Sequence, residues 1–137
     1  IAYDDSDGWY DHQMPPIVNQ SASPDDALTG EGACGDGTTA LPGIDAANVP
    51  AQGRCGYGPR LPLLVISPWA KSNYVDHALT DQTSILRFVE DNWLNGARIG
   101  GGSFDAIAGS IGGMFDFSNS PVLDKVRLDA ASGQPVP

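Results

Sequence analysis

An α/β fold is what this sequence predicts, on three observations. Leu61-Pro62-Leu63-Leu64-Val65-Ile66-Ser67 is a continuous apolar run, the pattern of a strand covered on both faces of a sheet. A helical pattern follows it, with Ile85, Val89 and Trp93 at every fourth position and Leu86 beside them. Ile1 to Tyr3 reads as the end of another strand, running straight into the acidic turn sequence Asp4-Asp5-Ser6-Asp7-Gly8. Carboxylates at such a strand end stand at the rim of a sheet, where α/β enzymes bind ligands.

Taken in order, Trp9-Tyr10-Asp11-His12 comes next, and then Met14-Pro15-Pro16, whose prolines exclude a continuing helix. Residues 19–60 read as a long irregular excursion punctuated by Pro24, Pro42, Pro50 and Pro59, and loops of that length are uncommon unless they serve a purpose. Pro68 ends the strand. Thr80 or Asp81 is placed to cap a helix that runs to about Asn95, with Gly96 as its stop. Beyond it, Gly100-Gly101-Gly102 and Gly112-Gly113 bracket a flexible apolar segment, Phe115-Asp116-Phe117 offers a short anchor, and residues 129–137 read as a surface tail. One strong strand and one strong helix are few for the length, because a doubly covered strand needs neighbours.

The 137 residues suffice for one domain. A net charge of -10 from 7 basic and 17 acidic residues argues against a nucleic-acid partner, which demands clustered Lys and Arg. No apolar run reaches the roughly 20 residues of a transmembrane helix. The start has neither an initiator Met nor a signal segment, so the N-terminus is expected to be processed or truncated. Cys34 and Cys55 both lie in Gly-rich loop sequence. A disulfide pinning the excursion is the preferred reading and implies an oxidising compartment; two free thiols are the alternative.

Tyr3-Asp4-Asp5-Ser6-Asp7-Gly8-Trp9-Tyr10-Asp11-His12, followed by Pro15-Pro16, resembles a motif of the bacterial phosphoesterase family that includes acid phosphatases and phosphocholine-specific phospholipases C. Gly56 to Lys71, with its Ile66-Ser67-Pro68-Trp69 centre, resembles a second block of the same family, and Thr80 to Trp93 a third. The resemblance implies the C-terminal portion of an alkaline-phosphatase-like sandwich with a mostly parallel central sheet, residues 1–137 being the C-terminal part of one phosphoesterase domain. It implies a metal-assisted hydrolase of phosphoric esters, secreted or periplasmic, acting on a phosphate monoester or a phospholipid. Asp4 and Asp5 then correspond to ligands of a divalent metal ion and His12 to a catalytic residue. The family's upstream acidic-plus-amide pair and hydroxyl nucleophile have no matching motif here, so this chain is expected to be inactive alone and to need the N-terminal portion of the enzyme as partner.

From the residues themselves other readings stay open. Asp4 to Asp7 equally suits a solvated turn with Asx-type hydrogen bonds. His12 could touch phosphate, protonate a leaving group or orient a ligand, or be a structural histidine paired with Asp11. His77 beside Asp76 suits a loop clasp. Relatives often carry Asp-His where this chain has Asp81-Gln82, which removes an imidazole there. Arg60 and Lys71 read as surface charges or loop ties, Trp9 and Tyr10 as pocket or core, and Gly100 to Gly102 lacks the Lys and spacing of a P-loop. A noncatalytic secreted binding module is the alternative function. A small calcium-binding domain is weakened by the lack of a regular Asp-x-Asp-x-Asp-Gly loop with its distal Glu.

Overall fold

The computed structural model describes residues 1–19, 56–101 and 103–136. Cys34, Cys55 and most of the long excursion lie outside them.

The helix forms where the sequence places it, as α1, Thr83–Trp93. Gln82 precedes its first residue and makes no side-chain cap; Asp81 does the capping instead. The Asp81 carboxylate accepts the Thr83 N–H at 2.6 Å, and the Asp81 N–H donates to the Ser84 hydroxyl at 3.1 Å. This reciprocal arrangement satisfies donors that every helix start leaves orphaned. At the other end Asn95 and Gly96 turn left-handed, with φ of 54° and 74°. The Leu94 and Gly96 N–H groups both donate to the Glu90 carbonyl, at 3.0 and 2.9 Å.

The face α1 buries is not the one its apolar spacing predicts. Ile85, Val89 and Trp93 are exposed, whereas Ser84 and Glu90 are buried. The packed face meets a 3-10 turn, Phe104–Ala106. Arg87 Nη1 donates to the Ala108 carbonyl, and Ala108 and Ile111 are buried beside it in the chain. Two acids occupy this contact: Glu90 is 2% exposed and Asp105 0%. Asp105 Oδ2 accepts the Ile99 N–H at 2.9 Å, and Arg98 reaches both Glu90 Oε2, at 3.2 Å, and Asp91 Oδ1, at 2.6 Å.

Residues 61–67 depart from the buried strand expected of them. A single antiparallel bridge joins Leu63 to Ala2, supported by two hydrogen bonds between Ile1 and Leu64. Leu64 and Ile66 face outward, Ile66 at 76% exposure. The physical reason is the lack of neighbours among the described residues: an apolar strand stays covered only when strands or helices lie on its faces. The anchor at 115–117 is realised. Ala70 bridges Phe115, the Asp116 N–H donates to the Trp69 carbonyl at 2.8 Å, and Phe115 stacks between Phe88 of α1 and Phe117, with centroids 5.3 Å away on each side. The tail turns back on itself, β1, Arg127–Leu128, pairing antiparallel with β2, Pro135–Val136.

Candidate active site

Asp4 and Asp5 stand just past the Ala2 bridge, on the wall of a cleft of about 990 Å³. Much of the lining comes from residues 56–63 and from residues 75–83, which lead into α1. The turn after the acid pair is tight: Asp7 and Gly8 have φ of 49° and 73°, and the Trp9 N–H donates to the Ser6 carbonyl at 2.8 Å. Left-handed backbone at two successive residues suits Asp-Gly. Asp5 Oδ1 accepts the Asp7 N–H at 2.8 Å, so the Asx-type turn weighed from the sequence is present and uses one oxygen of the pair.

His12 lies elsewhere. It is exposed and absent from the cleft wall. Asp11 does not clasp it as a structural pairing would require; instead Asp11 Oδ2 accepts from Arg60, Nε at 2.7 Å and Nη2 as well. The Arg60 hydrogen bonds, followed by the Gln13 N–H, hold the Asp11 carboxyl below its ordinary range. Arg60, read from sequence as a loop tie, is one, and it also lines the cleft. Trp9 and Tyr10 belong to neither core nor cleft, Trp9 being 87% exposed. Lys71 sits 4.6 Å from the Tyr74 ring.

His77 reaches the cleft wall where His12 does not. Its neighbour Asp76 is not its clasp, since Asp76 Oδ1 accepts the Ala78 N–H at 2.9 Å and the buried Oδ2 has no partner. Asp81 also lines the cleft with a buried, unpartnered Oδ2. Its charge adds to burial in raising the Tyr57 phenol above its ordinary value, burial being the larger cause. Sequence spacing gave no sign that the helix cap and the acid pair line one cleft.

Gln82 joins those two regions. Its Nε2 donates to the Tyr3 carbonyl at 3.0 Å and to the Asp4 carbonyl at 2.7 Å. The replacement of imidazole by amide, read from sequence as a loss, therefore introduces a tie between α1 and the acid pair.

Carboxylates are the donors a hard divalent cation takes. Among the described residues no three of His, Cys, Asp and Glu gather into a metal-binding group. Asp4 and Asp5 supply two carboxylates to the cleft lining.

The model of the phosphoesterase family matches residues 1–94, which contain both the acid pair and most of α1. The chain belongs to the phosphoesterase family. Among its relatives, a non-hemolytic phospholipase C of Burkholderia pseudomallei is 32% identical over the whole chain. A non-hemolytic phospholipase C of Pseudomonas aeruginosa is 35% identical over 68% of the chain, and a hemolytic phospholipase C of the same organism 29% identical over 88%. The chain spans 19%, 13% and 15% of the lengths of these three phosphoesterases.

Proposed function

We propose that the chain is part of a hydrolase of phosphoric esters, of acid phosphatase or phospholipase C type, and contributes Asp4 and Asp5 to an active site that an upstream portion completes. The observation that carries the reading is the position of both carboxylates just past the Ala2–Leu63 bridge in a cleft, within the region the family model matches. The names of the relatives favour a phospholipid substrate over a phosphate monoester. Location outside the cytoplasm, with Cys34 and Cys55 joined, belongs to the same reading; titration of free thiols before and after reduction tests it.

Phosphoryl transfer needs neutralisation of the phosphoryl oxygens and an activated hydroxyl. Asp4 and Asp5 would hold part of the coordination shell of a divalent cation, which would supply both, as charge and as a means of lowering a hydroxyl's pKa. The chain's own residues contribute position and polarity. Asp5 is fixed by the turn to Asp7, the Asp4 backbone by Gln82, and Arg60 offers positive charge in the same cleft. His77 is better placed than His12 to meet a phosphate oxygen, since it lines the cleft.

The exposed apolar row on α1 and the exposed Leu64 and Ile66 support a larger α/β sandwich in which neighbouring strands and helices cover them. The Asx turn at Asp5 is the feature that favours a noncatalytic binding module. Assay of Asp5→Asn in the full-length protein separates the two: hydrolysis of 4-nitrophenylphosphorylcholine is expected to fall by at least about a hundredfold, with thermal stability kept. Undiminished hydrolysis in that variant removes Asp5 from the site.

A further inference from the structure

Gln82 ties the backbone that carries the acid pair to the start of the helix. Both acceptors of its Nε2 are carbonyl oxygens, which cannot donate, so hydrogen-bond chemistry fixes the orientation of the amide. The two bonds cross 79 and 78 residues of sequence. Gln82 is itself held rigidly. Its backbone is already helical, with φ -60° and ψ -29°, and it lies between Asp81 and Thr83, which the capping bonds lock together.

The segment that carries Asp4 and Asp5 needs such a tie. The Ala2–Leu63 bridge restrains the chain before Asp4, and the Asp5–Asp7 bond is internal to the turn. Neither sets the distance from the carboxylates to the wall formed by residues 75–83. Among the described residues, the Gln82 bonds are those that join the Tyr3 and Asp4 backbone to that wall.

We propose that Gln82 is a positioning residue, which holds the Asp4–Asp5 pair at a fixed place against the N-terminal end of α1 and so sets the affinity of the site for a divalent cation. This rests on the reading of Asp4 and Asp5 as metal ligands. Outer groups that orient ligands commonly change metal affinity by about 10- to 100-fold when removed.

The test is Mn²⁺ binding to the full-length protein, followed by the paramagnetic signal of free Mn²⁺, for the wild type, Gln82→Met and Asp5→Asn. Gln82→Met deletes the donor without adding charge. The position is exposed, and Met is a good helix former, so the fold is retained; Gln82→Ala serves as a second deletion. The expected result is Asp5-dependent binding in the wild type, a Kd about tenfold higher in both Gln82 variants, and an unchanged unfolding temperature. Raised Mn²⁺ should then restore kcat in the Gln82 variants, whereas a purely structural role would not separate metal affinity from stability. Wild-type Mn²⁺ affinity in both Gln82 variants overturns the positioning role and leaves the metal reading intact. Binding that survives Asp5→Asn unchanged overturns the metal reading and the positioning role with it.

Discussion

Glu90 and Asp105 are the largest fully buried side chains described in this chain, and they are both acids. Burial, then the charge of Asp105 and a hydrogen bond to it, raise the Glu90 carboxyl above its ordinary value against the opposing pull of Arg98. The Ser103 hydroxyl, then the Ile99 N–H and Glu90, hold Asp105 below its own, against burial. From those opposite directions we predict that the two acids share one proton, carried on Glu90. The folded state then binds more protons at Glu90 than the unfolded chain does. Its stabilisation is therefore full below the ordinary Glu pKa of about 4.3 and is lost as pH rises through the raised folded value. Asp105 and Asp91, both lowered, contribute above their unfolded values and lose that contribution as pH falls through their folded ones. Glu90→Gln keeps the shape and a donor but cannot ionise. Urea midpoints measured across that pH range should decline in the wild type and flatten in the variant; equal slopes would refute the shared proton.

At the scale of elements, both ends of α1 were legible in the sequence because caps are local chemistry. Asp81 and Gly96 act within a few residues of where they stand. Asp81→Ala should therefore cost about 1 kcal/mol in urea unfolding. Which face of α1 is covered was not legible. Periodicity names the apolar stripe of Ile85, Val89 and Trp93, but coverage depends on what packs there, and here a polar face meets residues 104–106. The run at 61–67 has the same history, with strand character in its composition and too few described neighbours to bury it. Close approaches between loops were equally invisible. Gly109 sits so near the 79–80 backbone that an added Cβ would stand 1.8 Å from the Leu79 carbonyl oxygen. Gly109→Ala should destabilise by about 1–3 kcal/mol, and an unchanged unfolding midpoint would show that this contact is not tight.

At the scale of the molecule, the acid pair was legible through its motif, while its surroundings were not. Asp4 and Asp5 line the cleft, and His12 lies outside it. Asp76, His77 and Asp81 also line the cleft, and only tertiary contact brings them there. The sequence also shows too few strong elements for a complete sandwich. Among the described residues the largest fully buried groups are polar, and apolar side chains at Leu64, Ile66 and Trp93 lie open. A phosphoesterase portion that spans under a fifth of these three relatives' lengths is expected to leave such surfaces for the remainder to cover. The most direct measurement is the rate of 4-nitrophenylphosphorylcholine hydrolysis by residues 1–137 alone and by the same chain joined to its upstream portion. The account predicts no turnover by the chain alone and metal-dependent turnover by the joined protein. Turnover by residues 1–137 alone, at the rate of the joined protein, would contradict it.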